Sequence, residues 1–384
     1  MPVLSAMARG SVFKRNGRYG IRIDLGSDPR TGTRRQSSRQ GFRTKREAEA
    51  ALDEALGTLR SGTYIDGSSE LLGDFLDSWL DGERLRLKET SWSSYETAVN
   101  RVKAHLAKVR LQALTPRDVD ALYLELSKSG GMGGRPLSPK TVRNTHVVLR
   151  KALADAERLG LIGRNPAAVA RPPIPQRVEQ RTWTSDDLRV FFDFLADDRL
   201  VALYILLATT GMRRGEVLGL RWSDLDLDAR ELRIVQTLTT VRYAPVFSTP
   251  KTKRSRRVLY IDPQTVAILR AHRQRHRQER LAAGSAWDST SELVFTDELG
   301  GALHPDQITR EFGAKAQEAG LTRIRLHDLR HTYATLALKV GVHPKIVSDR
   351  LGHATVAVTL DLYSHVTPAL GREAADSIAD VIFG

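Results

Sequence analysis

The spacing of apolar residues changes along the chain, and each change predicts a different kind of structure. Between residues 11 and 38, apolar and polar positions alternate, as from Tyr19 to Leu25, which is the period of half-buried strands. Asn16-Gly17 predicts a tight hairpin turn, because both residues tolerate positive φ. Thr44 and Glu47 form a capping-box pattern that opens a helix, expected to continue to about Leu59. This stretch therefore predicts a three-stranded antiparallel sheet followed by one helix.

From Leu71 to Arg171 the apolar residues follow helical spacing instead. Thr115-Pro116 and Ser138-Pro139 each place a capping residue before a proline at the first helical position. The glycine-rich residues 130–135 lack the spacing of a phosphate-binding loop, so we expect a flexible connector there. The stretch predicts a second domain made entirely of helices.

A proline-rich polar stretch at residues 172–183 predicts a linker. Beyond it a helix capped by Thr184 or Ser185 and a buried helix from Leu200 to Ala208 are expected. Three strands follow, at residues 232–235, 246–247 and 257–261. Three further helices are expected at residues 263–283, 305–319 and 370–382. We therefore predict domains at residues 1–65, 70–171 and 184–384, mainly α-helical with small β-sheets, the third of them mixed α+β.

The charge is positive and unevenly distributed. The chain has 59 lysines and arginines against 45 acidic residues, a net charge of +14. From Arg9 to Arg46, twelve basic residues face only two aspartates, which is +10 in a short segment. Such a concentration favours a polyanionic partner. With no cysteine, disulfides and thiolate sites are excluded. No apolar run approaches membrane length or a secretion signal, so we expect a cytoplasmic protein.

The residues most suited to phosphate chemistry lie towards the C-terminal end. His327 and Arg330 form a His-x-x-Arg pattern, Leu351-Gly352-His353 follows a short helix, and Tyr363 comes ten residues later. The alternative for His327 is a structural helix histidine satisfied by a partner. A second His-x-x-Arg, at His272 and Arg275, lies in the charged run HRQRHRQER, for which we expect a solvated helix face.

With the upstream segment Thr210-Gly211-Met212-Arg213, these motifs resemble the tyrosine recombinase (phage integrase) family from about Ser185 to Thr367. The resemblance implies a nucleophile, Tyr363, and five further catalytic residues: Arg213, Lys251, His327, Arg330 and His353. Lys253 competes with Lys251 for the lysine role. Glu216, three residues after Arg213, is expected to pair with an arginine or orient it.

The resemblance also implies a reaction. Tyr363 would attack a DNA phosphodiester and form a 3′-phosphotyrosine. Arg213, Arg330 and His353 would stabilise the charge on the phosphate oxygens. His327 would accept the tyrosine proton, and Lys251 would protonate the leaving 5′-oxygen. No cofactor and no metal is expected.

The N-terminal unit is similar to the arm-binding domain of many integrases, and the helical domain to their core-binding domain. We expect DNA contacts from basic residues of the sheet and of the lysine hairpin: Lys14, Arg15, Arg18, Arg22, Arg34, Arg35, Lys253 and Arg254. The alternative for the sheet is that it binds DNA phosphates without sequence specificity. The expected partners are double-stranded DNA at core and arm attachment sites, three more copies of the chain in a tetramer on DNA, and an excisionase or a DNA-bending host factor. The resemblance also implies a bacterial host, with the protein associated with its nucleoid.

Four alternatives remain open on the sequence. An invertase or resolvase and a type IB topoisomerase share the chemistry, and a DNA-binding protein with an inactive site shares the fold. His327 and His331 also resemble a zinc-peptidase pattern, in which Asp328 replaces the usual glutamate.

Overall fold

The chain folds as two units, Met1–Arg177 and Val178–Gly384, and each is described by itself. The computed structural model describes residues 9–28, 31–61, 64–176, 181–249, 256–290, 292–353, 355–357, 360 and 378–383.

The first unit begins with the expected antiparallel sheet, in the order β1 (Gly10–Arg15), β2 (Arg18–Ser27) and β3 (Arg34–Phe42). Asn16 and Gly17 have φ of 51° and 74°, as the hairpin pattern predicted. Helix α1 (Lys45–Arg60) starts at the predicted capping box. It covers one face of the sheet, where Ile21 and Ile23 pack with Ala48.

The opposite face of this sheet carries Phe13 and Arg22. Because successive residues of a strand point to opposite faces, Arg22 lies away from Ile21 and Ile23. The Phe13 ring covers Gly20 so closely that a Cβ there would lie 2.6 Å from Phe13 Cζ. The Arg22 guanidinium stands 5.5 Å from the centre of that ring. This face is therefore basic, with one flat aromatic ring.

Four helices with a separate core complete the first unit: α2 (Leu72–Arg84), α3 (Glu89–Leu106), α4 (Pro116–Ser129) and α5 (Pro139–Arg158). Thr115 and Ser138 cap α4 and α5 as predicted. Inside, the Tyr123 hydroxyl and His146 Nδ1 lie 2.6 Å apart in a buried hydrogen bond. The predicted all-helical region is confirmed.

The second unit opens with α6 (Ser185–Phe194), α7 (Val201–Thr210) and the short α8 (Arg214–Leu218). Thr184 is the cap of α6, which decides between the two predicted candidates. The α7 helix is buried almost throughout, as its apolar run predicted. Trp183, placed at the end of the predicted linker, is buried against Phe191 and Phe312.

The described residues that follow contain five short strands: β4 (Leu225–Asp226), β5 (Glu231–Arg233), β6 (Thr237–Val241), β7 (Ala244–Ser248) and β8 (Val258–Tyr260). They form a sheet in the order β4-β5-β8 and a separate hairpin, β6-β7. The strand β6 was not among the predicted strands. Its backbone packs directly on α8, where a Cβ on Gly215 would lie 2.4 Å from the Leu238 oxygen.

The remaining helices are α9 (Pro263–Ala283), α10 (Pro305–Glu318), α11 (Asp328–Lys339) and α12 (Pro344–Leu351). Residues 378–383 are helical and lie at the end of the predicted last helix. None of the helices in the described ranges is long and apolar enough to cross a membrane.

The expected solvated face of HRQRHRQER was wrong at its first histidine. His272 is only 6% exposed, and its Nε2 lies 2.7 Å from the Val294 oxygen. Its ring packs between Trp222 and Phe295. Burial lowers the pKa of His272 to about 4, so the ring is neutral. The charged neighbours in the sequence concealed an inward-facing position on α9.

Candidate active site

Arg213 is placed by a glycine turn between α7 and α8. Gly211 ends α7 with φ of 65°, which favours glycine. A Cβ on it would also lie 2.5 Å from Leu351 Cδ2 and 2.6 Å from Tyr333 Cδ1. The backbone angle and the close packing therefore both favour glycine here. This turn makes Arg213 the N-cap of α8 and presents its side chain at the edge of the core, 38% exposed.

Glu216 binds Arg213 through two hydrogen bonds. Its Oε1 accepts a hydrogen bond from Arg213 Nη1 at 2.7 Å, and its Oε2 accepts one from the Arg213 backbone N–H at 2.9 Å. The Glu216 side chain is 1% exposed. The predicted pairing of Glu216 with an arginine is thus present. A second arginine, Arg257, donates to the same two oxygens at 3.1 and 3.0 Å.

Arg330 lies on the first turn of α11 and is 4% exposed. Its Nη1 donates to the Gly211 oxygen at 2.7 Å and its Nη2 to the Leu351 oxygen at 2.6 Å. Burial, followed by the charge of Arg213, lowers the pKa of Arg330 to about 9. The guanidinium stays charged at neutral pH, because its pKa still lies well above 7. A buried cation bound by neutral oxygens keeps much of its charge available for an anion.

Three consecutive carbonyl groups at the end of α12 each accept from a different arginine. The Arg350 oxygen accepts from Arg257 Nε, the Leu351 oxygen from Arg330 Nη2, and the Gly352 oxygen from Arg213 Nη2 at 3.1 Å. The last carbonyls of a helix lack partners within the helix and carry its negative end, so cations stabilise them. Gly352 turns the chain at φ of 66°, and His353 follows at once.

The two predicted catalytic histidines lie within the field of these arginines. Partial burial, then Arg330 and Arg213, lower the pKa of His353 to about 4. Desolvation, then His331 and Arg330, lower the pKa of His327 to about 4, although the residue keeps contact with solvent. The rings of His327 and His331 meet edge to face with centroids 5.2 Å apart. Both predicted histidines are therefore neutral near pH 7.

The structure brings together four of the six predicted catalytic residues and Glu216. Arg213, Arg330 and His353 share the end of α12, and His327 lies beside Arg330 at the start of α11. Lys251 and Tyr363 lie outside the described residues, and so do Lys253 and Arg254. Arg257 was missed. Its sequence signal was a double arginine at residues 256 and 257, where a predicted strand begins.

Asp328 does not stand between His327 and His331 as a free carboxylate. Both of its oxygens accept from Arg325, at distances from 2.7 to 3.2 Å, and the Arg325 backbone N–H donates to Oδ2. A zinc peptidase needs the acidic residue of this motif as a base beside the metal. The observed ion pair gives Asp328 a different task, which is to hold the start of α11.

The predicted DNA contacts of the first unit all lie on the sheet, but their surroundings differ. Four are exposed on the β1-β2 hairpin: Lys14, Arg15, Arg18 and Arg22. Arg34 and Arg35 pair with Asp24 and Asp66, each at 2.5 Å.

Three known protein-family patterns match successive parts of the chain. The pattern described as Phage integrase family matches residues 182–369, that of the Arm DNA-binding domain matches residues 11–59, and that of the phage integrase N-terminal SAM-like domain matches residues 71–127. A tyrosine recombinase XerC-like protein of Caldanaerobacter subterraneus subsp. tengcongensis is 30% identical over 98% of this chain and 100% of its own length.

The chain belongs to the tyrosine recombinase family of phage integrases.

It is a site-specific recombinase that breaks and rejoins DNA, an integrase of the kind carried by phages and integrative elements. The ICEBs1 integrase of Bacillus subtilis is 27% identical over 96% of this chain and 98% of that protein. The lambda integrase tetramer bound to a Holliday junction shares the fold, with a TM-score of 0.56 and 18% identity over 91% of this chain and 94% of that one. The expected family and fold class are confirmed.

Proposed function

We propose that this integrase cuts DNA by attack of Tyr363 on a phosphodiester and conserves the bond as a 3′-phosphotyrosine. The phenol oxygen bonds to phosphorus, the bond from phosphorus to the 5′-oxygen breaks, and a free 5′-hydroxyl leaves. His327 takes the tyrosine proton, and Lys251 gives a proton to the leaving oxygen. The reverse reaction with a new 5′-hydroxyl rejoins the strand.

The observation that carries this proposal is the cluster of Arg213, Arg330 and His353 at the end of α12. Two guanidinium groups held on rigid backbone can donate to the nonbridging oxygens as charge builds on them. Among the described residues, their partners supply one carboxylate, Glu216, which Arg257 already neutralises. The site is therefore short of negative charge, and a phosphate supplies it.

Burial, followed by the positive groups around it, lowers the pKa of His327, so its imidazole is neutral before the reaction and free to accept the Tyr363 proton. The approach of an anionic phosphate offsets Arg330 and Arg213, which raises this pKa towards the value that a general base needs. His353, neutral for the same reasons, donates one N–H to the phosphate without adding charge.

The division of labour follows the three domains predicted at residues 1–65, 70–171 and 184–384. We infer that the first domain binds arm sites through the sheet face that carries Phe13 and Arg22, called here the β1-β2 face. The other two domains would hold the core site. Basic strands can enter the major groove, and Arg22 and Phe13 lie on a suitable face. The lambda integrase of similar fold was solved as a tetramer on a Holliday junction. We infer a tetramer on DNA for this chain too, because recombination cuts two duplexes on both strands.

One experiment tests the proposed reaction. The protein is incubated with a nicked suicide substrate that carries the junction sequence of its mobile element, and covalent adducts are separated under denaturing conditions. A protein–DNA adduct that maps to Tyr363 supports the proposal. Binding without any adduct would instead support a DNA-binding protein with an inactive site, and an adduct at another residue would refute the assignment.

A further inference from the structure

Arg257 makes more contacts with the site than its position in a run of basic residues indicates. It lies just before β8, and its side chain is 8% exposed. Nη1 and Nη2 donate to the two oxygens of Glu216 at 3.1 and 3.0 Å, and Nε donates to the Arg350 oxygen at the end of α12. The side chain therefore joins β8, α8 and α12 through three hydrogen bonds.

Glu216 needs such a partner. A carboxylate that is 1% exposed is costly to keep ionised unless cations and donors surround it. Burial raises its pKa, but the hydrogen bond and charge of Arg257, with those of Arg213, bring the pKa below its ordinary value. In the part of the chain that the structure describes, the charged groups that face Glu216 are Arg213 beside α8, Arg257 before β8 and Arg330 on α11.

Arg213 gives Glu216 only one of its guanidinium nitrogens. Only its Nη1 and its backbone N–H point to Glu216, and Nη2 points to the Gly352 oxygen. Arg257 supplies the two-pronged contact that fixes the plane of the carboxylate. The plane of the carboxylate in turn fixes the direction of Arg213.

We propose that Arg257 is a positioning residue for strand cleavage: it holds Glu216 so that Arg213 is aimed at the phosphate, and it anchors the turn that carries His353. This inference rests on the proposed function. Arg257 itself does not touch the reacting atoms in this account. Its effect on the rate passes through Arg213 and through the end of α12.

The test uses the full-length chain and the suicide substrate, with the first-order rate of adduct formation measured at saturating protein from mildly acidic to mildly alkaline pH. For Arg257→Gln we expect a rate about 100-fold lower at neutral pH, as for a misplaced catalytic group, with little change in the Kd for DNA. Without Arg257 the pKa of Glu216 rises. The rate should then fall more steeply than in the wild type as pH drops and Glu216 becomes protonated.

The double variant Glu216→Gln, Arg257→Gln separates positioning from general damage. It has no carboxyl group to titrate at this place, so the extra loss of rate at acid pH should disappear. Arg257→Lys keeps a positive charge without the fork, and we expect a pH profile like that of the wild type at a rate about 10-fold reduced.

Arg199 offers a matched control. It donates to both oxygens of Glu279 and to the backbone oxygens of Thr296 and Asp297, which is the same kind of network in the same unit but apart from the site. Arg199→Gln should leave the pH profile unchanged even if it lowers the melting temperature. A similar change of the pH profile in both variants would show that loss of any arginine with several such hydrogen bonds disturbs cleavage, and would refute a specific role for Arg257.

The proposal is overturned if Arg257→Gln has the wild-type rate and pH profile, or if its acid loss persists when Glu216 is also changed. Should Arg257→Gln fail to fold, Arg257→Lys decides: a wild-type rate refutes the role. The proposed function fails separately, because in that case the wild-type protein forms no adduct at Tyr363.

Discussion

The arginines of the two units show how differently one residue type can serve a DNA enzyme. In the catalytic unit the side chains of Arg257 and Arg330 are nearly inaccessible to water, and each binds backbone oxygens; Arg257 also binds the carboxylate of Glu216. In the N-terminal sheet the side chains of Arg34 and Arg35 are 67% and 52% exposed and pair with one aspartate each. Exposed ion pairs contribute little to stability and are screened by salt.

The difference teaches which energetic quantity each region controls. A rigid, desolvated guanidinium needs no reorganisation when charge develops beside it, so it acts on the rate. An exposed arginine releases counterions when it meets a phosphate, so it acts on affinity and on the dependence of affinity on salt. Substitutions in the two regions should therefore change different measurements.

The largest expected effect is that of Tyr363→Phe. Without the phenolic oxygen there is no nucleophile, so the adduct should be lost altogether, while core-site and arm-site binding stay as in the wild type. Adduct gels and footprinting measure the two properties. An adduct retained by the variant would break the assignment of chemistry to this residue.

Lys251→Ala should slow cleavage about 100- to 10,000-fold, the range that general acid catalysis contributes. The 5′-oxygen then leaves without a proton. DNA with sulfur at the 5′-bridging position should restore much of the rate, because a thiol has a pKa of only about 8.5 and leaves readily as a thiolate. If sulfur rescues Lys253→Ala and leaves Lys251→Ala slow, the general acid is Lys253.

Arg330→Ala and Arg34→Ala compare the two regions directly. The first should lower the cleavage rate about 100- to 1000-fold, as for the loss of one preorganised donor, and it also leaves the Gly211 and Leu351 oxygens without this partner. The second should leave the rate at saturating protein unchanged. Single-turnover rates and thermal unfolding of both variants test this, and equal rate losses would remove the distinction drawn above.

Arg22→Gln should change binding and not chemistry. If Arg22 contacts one phosphate at an arm site, the log–log slope of affinity against salt should become shallower by about 0.9. Titrations of arm-site DNA at several salt concentrations measure it, and core-site cleavage serves as the internal control. An unchanged slope would move the arm contact away from the β1-β2 face.

The smallest effect concerns pH. His272 and His353 have a pKa of about 4 in the folded protein against about 6.5 when unfolded, so the unfolded state binds more protons between these values. Stability of the catalytic unit should thus fall as pH drops from about 6.5 towards 4. The N-terminal sheet contains no histidine. Hydrogen exchange of the full chain, corrected for intrinsic rates, should show acid loosening in α11 and α12 and not in β1–β3; His353→Asn should reduce it.

Much of the local structure followed from the sequence for physical reasons that act over a few residues. The Asn16-Gly17 turn, the Thr44 capping box and the proline-led starts of α4 and α5 form as predicted because dihedral preferences and helix caps are local. The apolar run before Arg213 gave the buried α7 for the same reason. The short strand β6 escaped prediction although its threonines and valine favour a strand; it is placed by pairing with β7 and by the close approach of Gly215 and Gly219, which lie elsewhere in the chain.

The sequence by itself determined the family and the candidate catalytic residues, since the order Arg213, His327, Arg330, His353, Tyr363 is a property of the chain. Only the tertiary structure decided how four of these are held. No spacing shows that the carbonyls of residues 350–352 receive three arginines from three separate segments, or that Arg257 shares Glu216 with Arg213. The same limit hid His272, whose burial depends on Trp222 and Phe295 from other parts of the fold. Burial and long-range hydrogen bonding depend on neighbours brought in by packing, and a sequence pattern records only neighbours along the chain.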